Sequence, residues 1–170
     1  MSWVYRGRCH KFGHDLHIDD EIMPLRFVRE RETRPEVLSQ YVMHGIDPEF
    51  PKRVKPGDIL VAGRRFAQGN PHAQGFRGMK ALGLGLIAEW MPRGAYRNCV
   101  VAGLPAIPKC PGILDMVNDG DELEVNFETG LITNCTTGAK LKSEPMPSFL
   151  REIIAAGGST SFLKKQINKA

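Results

Sequence analysis

Between Asn70 and Gln74 the chain reads Asn-Pro-His-Ala-Gln, and His72 is the one titratable side chain among them. A histidine whose ordinary pKa lies near neutrality suits a step that takes up and returns a proton. Near a helix N-terminus the dipole also biases the ring toward the neutral form that a base needs. The preceding residues imply such a helix. Gly57-Asp58 lead into the apolar run Ile59–Ala62, which reads as a buried strand ending at Gly63. A polar loop then reaches Gly69, Asn70 stands where an N-cap belongs, and Pro71 stands at the first helical position, where its missing N–H costs nothing. Free N–H groups and the dipole make such a start a place for an anion, a substrate carboxylate for example, around Gly69, Asn70 and Pro71. The same residues also start helices that bind nothing. With glycines at 63 and 69 and a polar run between them, loop 63–72 is expected to make few apolar contacts and to order on docking.

Guanidinium groups are plentiful around this segment. Arg64 and Arg65 follow the strand, Arg77 lies less than two turns into the helix, and Arg93 opens a later one. Arg29, Arg31 and Arg34 alternate with Glu30 and Glu32; they form either a clamp for an extra carboxylate or a solvated loop whose charges neutralise each other. More guanidinium groups than a monocarboxylate needs point to a polyanionic ligand. Cys9, His10, His14, His17, Asp19 and Asp20 gather near the N-terminus, but Gly13 and the short spacing place them on a loop, a weak scaffold for a metal. The four cysteines are scattered without the clustered thiolates an iron–sulfur centre needs. Such usage fits reduced thiols in a cytoplasmic protein, with no cofactor held by this chain.

At 170 residues, 42% hydrophobic and 25% charged, the chain suits one compact domain spanning 1–170. No apolar run reaches membrane-spanning length, and residues 1–8 mix Trp3, Tyr5 and two arginines unlike a leader. The net charge of +4 admits an anionic partner, but no basic run with interleaved aromatics argues for nucleic acid. Lys164, Lys165 and Lys169 read as the solvated face of a last helix. Strands are expected at Trp3–His10, 58–63 and Leu84–Ala88, with a hairpin of Asp121–Phe127 and Leu131–Asn134 across Glu128-Thr129-Gly130. Helices are expected at Glu36–Met43, Pro71 to about Leu82, Pro92–Ala102 and Pro147–Ala156, with Ser159 capping a final one. Strands and helices that interleave around one core make a mixed α/β class.

Nearly the whole chain resembles the small subunit of 3-isopropylmalate dehydratase, the swivel domain of the aconitase superfamily. Gly63, Phe66 and Gly69 match the pattern G-x-x-[FY]-G-x-G-S-S-R-E-H without a gap, and Ile18–Pro24 is similar to T-T-D-x-I-x-P. Tyr41–Gly63 resembles archaeal-type small subunits, Ala95–Asn98 with Gly103-Leu104-Pro105 resembles F-Y-R-N…G-L-P, and Gly120–Asn134 resembles the terminal hairpin. The resemblance implies a swivelling β/β/α domain, a mixed sheet with flanking helices. It implies a hydro-lyase small subunit that closes over a large subunit carrying a 4Fe-4S cluster, whose iron acts as Lewis acid while the lid supplies a base and a carboxylate clamp. The substrate class is then a hydroxy-di- or tricarboxylate. It places Asp20 at the rim of the site, Arg93 at a family arginine, and residues 27–34 in the substrate-sorting loop. The departure is at 70–74, where the family has Ser-Ser-Arg-Glu-His with serine as base and arginine on a substrate carboxylate. Asn70 is a poor base, so His72 inherits the proton transfer or the clamp. Alternatively the chain is a non-catalytic swivel subunit that binds a partner or an anionic effector.

Overall fold

The structure is a computed structural model that describes residues 2–70 and 72–168. Its centre is a seven-stranded sheet in the order β4-β3-β2-β1-β5-β6-β7. Strands β1 (Val4–Lys11), β2 (Ile59–Arg64), β3 (Gly85–Trp90) and β4 (Ala106–Ile107) run parallel, with Cys9 opposite Ile59, Leu60 opposite Leu86 and Ile87 opposite Ile107. Strands β5 (Glu122–Asn126), β6 (Leu131–Asn134) and β7 (Lys140–Lys142) continue from the other edge of β1 as an antiparallel meander. This is the mixed α/β sheet expected of a swivel domain.

The unbroken apolar run of β2 follows from burial on both faces. Leu60 and Ala62 join one core with Leu86, Ala88 and the helices α4 (Ala73–Ala81) and α5 (Arg93–Ala102). Ile59 and Val61, alternating with them, join a second core with Ile87, Val125, Phe127 and Ile132. Helix α5 ends at Gly103, whose φ of 76° is the left-handed conformation that glycine adopts without penalty. Among the described residues no helix is long and apolar enough to cross a membrane.

Several expected elements differ. The single helix over Glu36–Met43 is two short pieces, α2 (Pro35–Leu38) and a 3-10 turn (Ser39–Tyr41). The chain breaks there because Met43 turns to φ 61° and donates its N–H to the carbonyl of Ile22, 2.8 Å away. Pro92 and Pro147 precede their helices, α5 and α7 (Ser148–Ala155), rather than entering them. The last helix has Gly158 at its cap position, with Ser159 its first helical residue; Lys164 and Lys165 are exposed on it, and Lys169 lies outside the described residues.

Candidate active site at the ends of the parallel strands

Helix α4 begins at Ala73, with His72 as its N-cap at φ −105° and ψ 155°. Asn70 is therefore not the cap that local sequence implies, and Pro71 lies outside the described residues. Asn70 and Gly69 are exposed in the turn before the helix, where Gly69 has φ 105°. Among the described residues no side chain caps α4, and its first turn holds no acidic residue, so the turn's N–H groups keep their affinity for an anion.

Two loops leave the C-terminal ends of β1 and β2, the place where open parallel sheets put their ligand sites. They pair with each other. Ile18 N–H donates to Gln68 O at 3.0 Å, and Gln68 N–H donates to Leu16 O at 3.0 Å. The Gln68 amide reaches Asp15 O at 2.9 Å and lies 3.2 Å from His17 Nε2. Arg64 N–H donates to His14 Nδ1 at 2.9 Å. A methyl group on Gly63 would sit 2.1 Å from that same nitrogen, so close approach of the His14 ring requires glycine there. Phe66 and Ala67 are buried, which corrects the expectation of few apolar contacts in loop 63–72. Asp15, Asp20, Arg65 and Ala67 all hold positive φ, a strain of about 1–3 kcal/mol each that tightly packed functional loops sustain.

The remaining candidates divide by what holds them. Arg65 is paired to Asp15, whose carboxyl that guanidinium holds below its ordinary range. Asp20 is exposed and its Oδ1 accepts the N–H of Leu25 at 2.9 Å, so it braces the turn into α1 (Arg26–Arg29). Arg34 and Glu32 form a close pair that holds the Glu32 carboxyl down at about 2, as a loop of self-neutralising charges would. Arg29 and Arg31 are exposed beside that pair and make no ion pair among the described residues. Gln74, in the first turn of α4, donates to Glu32 O at 3.4 Å and so ties the 29–34 loop to the helix start. Arg64 lines a cleft of about 310 Å³ with Glu89, Trp90 and Lys109 at the ends of β2 and β3. Arg93 is exposed at the first position of α5, and no hydrogen bond or ion pair joins it to His72 among the described residues. Arg77 lines a separate groove with Thr33 and Lys80.

His72 is 21% exposed, and its Nε2 stands 3.4 Å from Asp19 Oδ1. That oxygen is shut off from solvent and accepts no hydrogen bond among the described residues. The pair is thus within ionic reach without hydrogen-bond alignment. Asp19 was visible in sequence only as part of an N-terminal cluster; its approach to His72 comes from pairing of loops 53 residues apart in the chain. The other members of that cluster disperse. Cys9 and His10 are buried on β1, with His10 on Asp58 at 2.9 Å, and His14 and His17 are engaged as described. Among the described residues no three His, Cys, Asp or Glu gather as a metal site. Burial pushes the Cys9 thiol up to about 12 and Cys110 up to about 11, so neither offers the thiolate an iron–sulfur cluster needs. A cavity of about 520 Å³ lies at the far end of α4 around Leu82 and Tyr41, away from His72.

Comparison with known proteins follows the same lines. No protein-family profile matches the chain. Over 168 residues it is 47% identical to the isopropylmalate/citramalate isomerase small subunit of Methanocaldococcus jannaschii, covering 98% of each chain. It is 38% identical over 167 residues to a 3-isopropylmalate dehydratase small subunit of Methanopyrus kandleri, covering 98% of this chain and 96% of that one. A crystal structure of 3-isopropylmalate dehydratase from Methanocaldococcus jannaschii matches with a TM-score of 0.85 and 36% identity, over 98% of this chain and 99% of the other. With the strand order, the paired loops and these full-length relatives in agreement, the chain belongs to the family of 3-isopropylmalate dehydratase small subunits.

Proposed function

We propose that this chain, as a single swivel domain over residues 1–170, is the small subunit of a hydro-lyase and adds or removes water on a hydroxy-di- or tricarboxylate of the isopropylmalate or citramalate kind. The observation that carries this reading is the convergence of His72, the uncapped first turn of α4 and the 29–34 loop at the C-terminal ends of the parallel strands. His72 takes the proton from the carbon beside a carboxylate in dehydration and returns it in hydration. The first-turn N–H groups of α4, from Ala73 onward, hold one carboxylate beside Gly69 and Asn70, and Arg29, Arg31, Arg64 and Arg93 supply guanidinium groups for another. Asn70 replaces the family's serine and contributes an amide rather than a proton acceptor. Closure of this chain over its partner excludes water from the reacting atoms.

The buried thiols do not fit an iron–sulfur cluster, so the reading assigns the 4Fe-4S cluster to the large subunit and none to this chain. A cytoplasmic location for the assembled enzyme belongs to the same reading. A second reading, a non-catalytic swivel subunit, draws on one observation: the serine and arginine of the family pattern are absent at 70 and 72.

The test is reconstitution with the cluster-loaded large subunit and an assay against branched hydroxy-dicarboxylates. Turnover that requires both chains, with di- and tricarboxylates preferred over neutral analogues, supports the enzyme. Stable assembly without turnover on any of them supports the second reading.

A further inference from the structure

Asp19 carries a carboxylate oxygen that has been left without a donor. Its Oδ1 is shut off from solvent and accepts no hydrogen bond among the described residues, although the side chain as a whole keeps 36% exposure. Several charged and polar groups of these loops are already matched elsewhere. Arg65 is on Asp15, Arg34 is on Glu32, the His17 ring is against Gln68, and the His17 N–H is on Glu21 at 2.6 Å. The imidazole of His72 stands opposite, 3.4 Å away. An acceptor buried without a donor is costly, so the fold keeps this oxygen facing the ring for a reason other than stability. In sites without substrate such contacts are commonly long or misaligned and tighten when the substrate is bound.

The sequence carries the same pairing. Where the family pattern T-T-D-x-I-x-P has its second threonine this chain has Asp19, and where S-S-R-E-H has arginine it has His72. Two departures 53 residues apart in sequence meet face to face.

We infer that Asp19 is a positioning residue for His72: its buried Oδ1 accepts the Nε2–H and leaves Nδ1 as the ring nitrogen that takes the substrate proton. The inference rests on the proposed reading of His72 as the proton-transfer group and decides between its two roles. A carboxylate fixed on Nε2 selects one tautomer of the neutral ring and stabilises the positive charge that forms when Nδ1 accepts a proton. A carboxylate clamp needs no such tautomer, because a protonated ring donates from both nitrogens. The bookkeeping closes within the reaction itself: the C–H bond breaks and its electron pair forms the C=C bond as the C–O bond breaks, the proton goes to Nδ1, the departing hydroxide takes up that proton and leaves as water, and hydration runs the same steps in reverse.

The test has two arms. In the full-length chain labelled with ¹⁵N, the imidazole nitrogens report the tautomer directly, and His72→Gln identifies the His72 signals among the five histidines. The neutral His72 ring is expected as the Nε2–H tautomer in the wild type and as a mixture in Asp19→Asn. In the reconstituted complex, Asp19→Asn is expected to lower kcat roughly tenfold or more with KM nearly unchanged, and Asp19→Glu to recover part of it. An Nδ1–H ring in the wild type, or a raised KM at unchanged kcat in Asp19→Asn, overturns the inference. A fall in His72→Ala with wild-type turnover in Asp19→Asn overturns the role of Asp19 alone. Wild-type turnover in His72→Ala overturns the reading of His72 itself, and Asp19's role with it.

Discussion

Asp58, 5% exposed, accepts from the His10 ring and from the N–H groups of Arg8 and Lys55, each at 2.9 Å. Burial pushes its carboxyl up, but the hydrogen bonds from His10, Lys55 and Arg8 outweigh it and leave the pKa below the ordinary value. A folded-state pKa below the unfolded one stabilises the fold above the unfolded value of about 3.9, and that contribution is lost as pH falls through the folded pKa. Urea midpoints of the wild type should therefore fall more steeply than those of Asp58→Asn below about pH 4. Asp58→Ala should cost roughly 3 kcal/mol or more at neutral pH, because it strands an imidazole and two backbone donors. Parallel pH profiles in wild type and Asp58→Asn would contradict this. Sequence shows Gly57-Asp58 as the lead into a strand but not this role, since His10 is 48 residues away. His72 was legible as a group able to move a proton, but the cap position was placed two residues early. Asn70-Pro71 is a strong local signal, yet the extended backbone at His72 shows that the loop pairing decides where the helix starts.

At the scale of elements, α2 lies against α4 because α4 carries glycine at the crossing. A methyl on Gly78 would lie 2.7 Å from Val42 Cγ2 and 2.9 Å from the carbonyl oxygen of Leu38. One on Gly75 would lie 3.2 Å from the side-chain methyls Ile18 Cδ1 and Ile22 Cγ2, with no backbone atom so close. Alanine gains about 1 kcal/mol of helix propensity over glycine, while overpacking against backbone costs about 1–3 kcal/mol. Gly78→Ala should therefore destabilise, and Gly75→Ala should be near neutral, as read from urea midpoints; equal effects would show that α2 moves freely. The strands β1, β2 and β3, helix α5 and the β5–β6 hairpin were legible because continuous apolar runs, alternation and capping proline act locally. Helices α1, α3 (Phe50–Arg53) and α6 (Ile113–Met116) were not, since four residues make barely one helical turn and show no period. The two-residue β4 and three-residue β7 exist because a neighbouring strand offers an edge, which no local pattern encodes.

For the molecule as a whole, the site is one face of a fold whose other groups are committed to holding it. The buried cysteines lead to the expectation that the purified chain takes up no stable cluster under anaerobic reconstitution with iron and sulfide. A persistent visible absorption of an iron–sulfur centre in the chain alone would contradict that. The resemblance made the two-subunit enzyme legible from sequence, and the full-length relatives agree with it; the substituted 70–74 segment is where the sequence left catalysis open. Steady-state kinetics of His72→Ala in the reconstituted two-subunit complex, beside Asn70→Ala, addresses that point. Loss of a general base commonly costs about a hundredfold or more in turnover, so His72→Ala should fall by at least that and Asn70→Ala by much less. Wild-type turnover in His72→Ala would contradict the account.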